Sequence, residues 1–135
     1  MTNSVIHPAG WEKAKGYANG VLTEDGLLFV GGQIGWNADQ VFESNDFIGQ
    51  MEQILKNIMA VVTEAGGTAE DIVRLTWFVI DKNEYIARQQ EVGEVYRRVL
   101  GRNIPAMTMV VVAGLVEDEA LLEIEATANL RHLSS

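Results

Sequence analysis

Residues 107–113 read Met-Thr-Met-Val-Val-Val-Ala, and from position 109 to position 113 no side chain is polar. β-Branched residues favour strands, and a strand with one solvated face alternates apolar with polar residues. This stretch does not alternate, so it predicts a strand without a wet face. The chain has too few helices to cover both faces of a sheet, so we expect a partner subunit to cover one of them.

Two helical patterns lie upstream of this strand. Residues 46–65 carry apolar side chains at the three- and four-residue spacing of one helix face, with an Asn-Asp pair at the start and Gly66 as the stop. Residues 82–100 repeat the pattern, with Asp and Glu at capping-box spacing and Gly101 as the terminator. Each pattern predicts one amphipathic helix.

Four further strands are predicted. Residues 17–22 and 27–31 flank Asp25-Gly26, a pair that favours the positive φ angles of a type I′ hairpin turn. Residues 72–80 are rich in β-branched and aromatic side chains, and residues 120–129 form the last strand. The predicted order is β-β-α-β-α-β-β, a sheet of five or six strands with two helices on one face.

Composition restricts the class of protein. The chain has 135 residues, with 10 Lys and Arg against 19 Asp and Glu, a formal net charge of −9 and no cysteine. That length fits one domain over residues 1–135, and 47% hydrophobic residues is typical of a globular fold. The negative charge disfavours nucleic acid or an anionic membrane as a partner. Without cysteine the chain forms neither disulfides nor thiolate metal sites.

No segment has the pattern of a targeting signal or a membrane span. The first ten residues lack a basic region followed by an apolar one, and the apolar run at residues 107–116 is about half as long as a membrane helix requires. We therefore expect a cytoplasmic protein. His7 and His132 lie near opposite ends without cysteine, and no phosphate loop or dinucleotide fingerprint occurs, so we expect no metal and no cofactor.

Six short motifs follow one another between residues 16 and 129. They are Gly16-Tyr17, Gly32-Gln33-Ile34, Gln53-x-x-x-Asn57-Ile58, Ala65-Gly66-Gly67 with Asp71-Ile-Val, Pro105-Ala106, and Glu123-Ile-Glu125-Ala-Thr-Ala128. Together they resemble the YjgF/RidA family of enamine and imine deaminases, also called endoribonuclease L-PSP. The resemblance implies an α+β fold similar to chorismate mutase, and a homotrimer with a central β-barrel and active sites in clefts between subunits.

The resemblance also implies a function. Each cleft would bind a small organic molecule and hydrolyse an enamine or imine to a carbonyl compound and ammonia. A second interpretation is a trimer on the same scaffold that binds a small molecule without catalysis. A ribonuclease is the third and is disfavoured, because the chain is acidic and shows no basic stripe with interleaved aromatic residues.

The family site is carried over position by position. The resemblance makes Tyr17 and Glu123 the catalytic candidates, with Glu123 positioning a water molecule. The substrate-binding candidates from the resemblance are Gly31 in place of the usual Ser, Gly32, Gln33, Gln89 in place of Asn, Met107 in place of Arg and Met109 in place of a frequent Cys. Trp36 joins them as a large aromatic in a polar loop.

The same residues also have structural interpretations. Glu123 alternates with Glu125, so both carboxylates share one strand face and either point to solvent or serve chemistry. Tyr17 either binds a ligand or packs at a subunit boundary, and Trp36 is either a lid or an oligomer contact. The glycine pair at 31–32 either admits a ligand to the backbone or forms a bulge.

Met107 is the most informative departure from the family pattern. Arginine matches a carboxylate with a planar fork, whereas methionine offers a flexible apolar surface. The substrate is then expected not to rely on a carboxylate–arginine clamp, as for an aromatic-derived enamine or imine. Loss of catalysis is the alternative. Other arginines hold positions that the family motif does not support: Arg74, Arg88, Arg97, Arg98 and Arg102.

Overall fold

The computed structural model describes residues 2–133 as a mixed six-stranded sheet with helices packed against it. The strands are β1 (Ser4–Ile6), β2 (Gly20–Leu22), β3 (Leu27–Gln33), β4 (Ile72–Val79), β5 (Ala106–Val111) and β6 (Leu122–Asn129). The helices are α1 (Phe47–Glu64), α2 (Lys82–Ala87) and α3 (Gln89–Leu100), with short 3-10 turns at Ala69–Asp71 and Arg131–Leu133. The strand order is β1-β2-β3-β6-β4-β5, and β4 with β5 is the parallel pair.

Helices α1 and α3 cover one face of the sheet and form a single hydrophobic core with it. The apolar stripe of α1 is buried, as the helical spacing predicts, and α3 adds Val92 and Val95. On the sheet side the core contains Leu75, Trp77 and Ile124, each at most 1% exposed. Burial of one such side chain contributes about 1.5–3 kcal/mol, so this layer supplies most of the stability.

The first helix begins and ends as predicted. The Asp46 carboxylate accepts hydrogen bonds from the backbone N–H groups of Ile48 at 3.2 Å and Gly49 at 3.4 Å. After the helix, Gly66 has a φ of +94°, and the Gly67 N–H donates to Val62 O at 2.9 Å. The positive φ of Gly66 and this hydrogen bond are typical of a Schellman motif, which satisfies carbonyls left open at a helix end.

The second predicted helix, residues 82–100, is instead two helices that break at Arg88. This residue has φ −126° and ψ 33°, outside the helical range. Its guanidinium donates to Asp46 Oδ1 at 2.6 Å and to Glu91 Oε2 at 2.9 Å. The prediction of one continuous helix is therefore wrong, because these ion pairs hold Arg88 between the start of α1 and the first turn of α3.

The turn between β2 and β3 is not the predicted type I′ turn. A type I′ turn needs positive φ at two residues, whereas Gly26 has a φ of +97° and Asp25 is not among the positive-φ residues. The Thr23 N–H donates to Leu27 O at 2.8 Å, so three residues form the loop. The Asp25 carboxylate accepts from Thr23 Oγ1 at 2.5 Å and from Arg131 Nη2 at 3.1 Å.

Strand β5 lies at one edge of the sheet, although its sequence predicts a strand covered on both faces. Five of its six residues are exposed, among them Met107 at 47% and Val111 at 55%. The expectation of cover does not hold within one chain. Proteins seldom leave an apolar edge strand open, because it pairs with other chains. This edge is the part of the fold most suited to contact with another molecule.

Candidate functional site

A β-bulge in β3 lies directly beneath Glu123. Val30 pairs with Ala126 and Gln33 with Ile124, so residues 31 and 32 of β3 stand opposite Glu125 alone. A Cβ atom on Gly32 would overlap the Glu123 carboxylate. The glycine pair therefore forms the bulge that the sequence allows, and the group that approaches the backbone is a carboxylate of the same chain.

Glu123 lies on the sheet face opposite the helices. Its neighbours Leu122 and Ile124 are fully buried on the helix face, as the alternation predicts, and Glu125 lies exposed beside it. Burial raises the pKa of Glu123, and the negative charge of Glu125 raises it further. Within residues 2–133 the Glu123 carboxylate accepts no hydrogen bond. A half-buried carboxylate in this state suits a general base.

Two buried polar residues hold the bulge in place. Gln33 Nε2 donates to Asn19 Oδ1 at 3.2 Å and to Gly31 O at 3.1 Å. The Gly31 N–H donates to Asn19 O at 2.8 Å. Gln33 is 3% exposed and Asn19 7%, so both lie beneath the glycine pair. Gln33 thus acts on the bulge rather than on the open surface, and Asn19 is a supporting residue that the sequence did not single out.

Tyr17 and Trp36 line a shallow cavity of about 350 Å³ together with Lys13, Lys15 and Gln40. Gln40 Nε2 donates to the Tyr17 hydroxyl oxygen at 3.4 Å. The Tyr17 side chain is half exposed. The two aromatic candidates of the first half of the chain therefore meet at one surface, where both are open to a ligand or to another subunit.

Helix α1 fixes the loop that carries Trp36. Asn57 Nδ2 donates to Trp36 O at 2.8 Å and to Ile34 O at 3.2 Å. Gln53 Nε2 donates in turn to Asn57 Oδ1 at 2.9 Å. The Gln-x-x-x-Asn motif is thus a structural clamp between helix and loop, since the buried Asn57 amide bonds both to Gln53 and to backbone carbonyls.

Gln89 and Met107 line a second cavity, of about 560 Å³, between β5 and the helices α2 and α3. Its walls are mainly apolar and aromatic: Trp77, Tyr85, Val92, Gly93, Tyr96, Ile104 and Pro105, with Arg97, Gly101 and Arg102. The buried Trp77 Nε1 finds no hydrogen-bond partner among residues 2–133. Met109 pairs with Trp77 along the β4–β5 ladder and packs half-buried against the core.

Glu123 and Met107 lie on opposite faces of the sheet. Met107 is in register with Leu75, which faces the helices, whereas Glu123 is in register with Phe78 on the other face. Strand β4 also separates β6 from β5. One chain therefore does not bring Glu123 and Met107 to the same ligand.

The second cavity contains side chains that the sequence did not assign to a site. Tyr96 is one of them, and burial raises its pKa to about 12. Gln89, Gly93 and Arg97 are spaced by four residues along α3, which places them in one row on the helix surface. That row was visible in the sequence, with a glycine in mid-helix as its signal.

Within residues 2–133 no three His, Asp or Glu side chains form a group able to hold a metal ion. His7 Nε2 lies 3.2 Å from Trp11 O, and His132 Nε2 lies 2.7 Å from Asp71 Oδ1. None of the helices described is both long and apolar enough to cross a membrane.

Comparison with known proteins identifies the family. The sequence profile described as endoribonuclease L-PSP matches residues 9–130. A RutC family protein of Haemophilus influenzae is 34% identical over 128 residues, which cover 95% of this chain and 98% of the relative. The chain belongs to the YjgF/RidA family. The resemblance read from the six motifs is thereby confirmed.

Solved structures of family members share the fold. YyfA from Yersinia pestis, a Rid family protein of unknown function, superposes with a TM-score of 0.81 at 34% identity, covering 96% of this chain and 100% of that one. TdcF of E. coli, solved with bound serine, has a TM-score of 0.80 at 27% identity, covering 93% and 98%. The α+β architecture predicted for a YjgF/RidA protein is confirmed.

Proposed function

We propose that this YjgF/RidA protein is an enamine or imine deaminase whose active site forms between the subunits of a homotrimer. The observation that carries the proposal is the separation of Glu123 and Met107 on opposite sheet faces. A neighbouring copy that packs its β5 edge across the β3–β6 bulge joins the two halves in one cleft. A site built in this way is complete only in the assembly.

Exposed apolar side chains support the assembly. Phe29 is 48% and Val110 is 42% exposed on or near the face that no helix covers, and Met107 and Val111 are exposed along the β5 edge. Association that covers such a surface is stabilised roughly in proportion to the apolar area removed from water. Contact of β5 with a neighbouring subunit would supply the cover on both faces that the apolar pattern at residues 109–113 predicts.

Glu123 is the group suited to the chemistry. In the proposed reaction its carboxylate accepts a proton from a water molecule whose oxygen attacks the imine carbon. Glu123 passes that proton to the imine nitrogen, which gives a carbinolamine. Glu123 then takes the proton of the hydroxyl group and delivers it to the same nitrogen, the C–N bond breaks, and ammonia leaves as the oxygen becomes the carbonyl. The raised pKa makes Glu123 a stronger base than an ordinary glutamate and a usable acid in the second half.

Met107 restricts the substrate. The relative TdcF binds serine, which supports a small-molecule cleft in this chain as well. At the start of β5, however, this chain presents a methionine side chain, and a carboxylate there would lose its hydration without gaining a partner. We therefore expect a substrate that places apolar surface, rather than a clamped carboxylate, beside Met107.

The test compares Glu123→Gln with Glu125→Gln. Both remove one carboxylate from the same face of β6, and only the first removes the proposed base. The assay follows loss of the imine that an amine oxidase releases from 2-phenylethylamine, which carries no carboxylate. We expect Glu123→Gln to lose at least about a hundredfold in rate, the usual size of an acid–base contribution, while Glu125→Gln stays within about threefold. Light scattering should give a mass near three chains for every variant.

Four results would contradict parts of the proposal. Equal rates for Glu123→Gln and wild type dismiss Glu123 as the base. A soluble monomer removes the shared cleft. Saturable binding of small molecules with no acceleration of imine loss favours the non-catalytic binder, and RNA cleavage that persists through purification and disappears in Glu123→Gln favours the ribonuclease.

A further inference from the structure

The cavity beside Met107 is positively charged in an acidic protein. Arg97 and Arg102 are among its lining residues, and none of the described residues that line it is acidic. Over the whole chain, acidic residues outnumber basic ones by 19 to 10. A concave surface with two cations and no carboxylate is therefore the reverse of the protein's general character, and it attracts anions.

Among the described residues, these two arginines differ from their neighbours in having no carboxylate partner. Arg88 pairs with Asp46 and Glu91, and Arg98 Nη2 pairs with Glu52 Oε1 at 2.9 Å. Within residues 2–133, Arg97 and Arg102 make no ion pair. Arg97 and Arg98 both lie in the last turn of α3, where the helix dipole stabilises a positive charge. The dipole therefore does not explain why Arg98 has a carboxylate partner and Arg97 faces a cavity.

Gly93 allows Arg97 to lie along the cavity wall. A Cβ atom at position 93 would be 3.3 Å from Arg97 Nη1, so the guanidinium lies back over the helix at the glycine. Both residues line the cavity. Glycine inside a helix costs about 1 kcal/mol relative to alanine, and here it leaves the space that the guanidinium occupies.

We propose that Arg97 and Arg102 form an anion subsite and that the ligand of this cavity has an acidic group joined to an apolar, preferably aromatic, body. The guanidinium groups hold the acid through charge-assisted hydrogen bonds. The body packs against Trp77, Tyr96 and Met107. The inference rests on the proposed function only where it assumes that this ligand is the substrate. The acidic group of that substrate then binds at the end of α3, not at the position where the family arginine stands.

The test is a binding experiment with unreactive probes. Calorimetry compares 3-phenylpropanoate with 3-phenylpropanamide, which has the same body and no charge. We expect the acid to bind about tenfold more tightly than the amide, as charge-assisted bonds at a partly exposed site allow. Arg97→Gln and Arg102→Gln should each reduce this preference to about threefold or less. Arg98→Gln, the matched control, removes the neighbouring charge and should preserve the preference.

The inference is overturned if the amide binds as tightly as the acid, if Arg98→Gln loses as much preference as Arg97→Gln, or if the acid shows no saturable binding at millimolar concentration. Unchanged thermal transitions and assembly mass show that each variant is folded. Because neither probe reacts, the result is independent of catalysis. Arginine-dependent binding without imine hydrolysis would retain the subsite and reject the deaminase, whereas hydrolysis without charge preference would do the opposite.

Discussion

The Glu123 half of the site and the Met107 half are held by different kinds of interaction. Around Glu123, buried side-chain amides fix the backbone: Gln33 bonds to Asn19 and Gly31, and Asn57 bonds to the loop at Trp36. Around Met107, the wall is an exposed edge strand and a layer of apolar and aromatic side chains. The first half is a hydrogen-bonded frame, and the second is mostly packed surface.

This difference predicts which half tolerates substitution more readily. A change in a buried hydrogen-bonded frame leaves a polar group without a partner, which costs about 1–3 kcal/mol. A change on a half-exposed wall, such as a substitution of Met107, is expected to alter what binds without disturbing the core. We infer that the frame holds the groups for the reaction and that the wall sets the choice of substrate.

The largest effect is expected from Gly32→Ala, with Gly93→Ala as its counterpart in the other half. The new Cβ at position 32 overlaps the Glu123 carboxylate and must displace it or the strand. We expect a stability loss of about 1–3 kcal/mol, as for overpacking, and loss of nearly all imine hydrolysis. At position 93 the nearest atom is the end of a flexible arginine side chain. There we expect stability to stay level or rise by up to about 1 kcal/mol.

Denaturant unfolding at one fixed protein concentration measures both variants, since an assembly's stability depends on concentration. If Gly32→Ala retains wild-type activity, Glu123 does not need its present position. If Gly93→Ala is the more destabilising of the two, the wall is as tightly constrained as the frame and the contrast between the halves fails.

A smaller gain is expected from Met107→Arg. In the wild type the carboxylate of an amino-acid imine lies beside the apolar Met107 side chain, and a carboxylate that does not reach Arg97 or Arg102 stays unpartnered at a cost. We expect weak wild-type activity on 2-aminoacrylate, generated in situ by a dehydratase, and a rise of about tenfold in the variant as a charge-assisted pair forms. Met109→Arg is the matched control, because its side chain packs against the core and should give no gain.

Wild-type rates on 2-aminoacrylate equal to those of an arginine-containing family member would contradict this expectation. A second group, such as Arg97 or Arg102, would then hold the carboxylate. Testing Met107→Arg in the Arg97→Gln background separates the two arrangements.

The sequence predicted the elements whose signals are local and repeated. Helix α1 was readable because its apolar spacing, its Asp46 cap and its Gly66 stop all agree with one another. The strand alternation at Glu123 and Glu125 placed both carboxylates on the face opposite the core. The motifs of the YjgF/RidA family added the fold as a whole.

What the sequence missed depends on contacts between distant residues. The break at Arg88 comes from its pair with Asp46, which lies 42 positions away, and apolar spacing carries no sign of it. Strand β1 has three residues and depends on pairing with β2 and on packing of Ile6 against the core. The cavity that contains Arg97 and Arg102 arises where α3 meets the start of β5, so no single stretch of sequence displays it.

The smallest expected effect concerns pH and the carboxylate pair on β6. Burial and then the charge of Glu125 raise the pKa of Glu123, so the acidic limb of the rate profile should lie above the ordinary glutamate value of 4.5. Rates fall as pH drops through that limb, because protonation removes the base. Glu125→Gln deletes the like charge and should move the limb to lower pH, while Glu70→Gln, a matched change on the 3-10 turn Ala69–Asp71, should leave it in place.

The pH dependence of folding stability should be opposite to that of the reaction rate. A carboxyl whose pKa is higher in the folded state than in the unfolded state binds its proton more tightly when folded. Its stabilising contribution is therefore present below the unfolded pKa and is lost as pH rises through the folded pKa. Glu123→Gln keeps the shape and never ionises, so relative to wild type it should be more stable at pH 7 than at pH 4. A wild type that is relatively more stable at pH 7 would mean that Glu123 gains a positive partner in the assembly, and its raised pKa would then no longer support a role as the base.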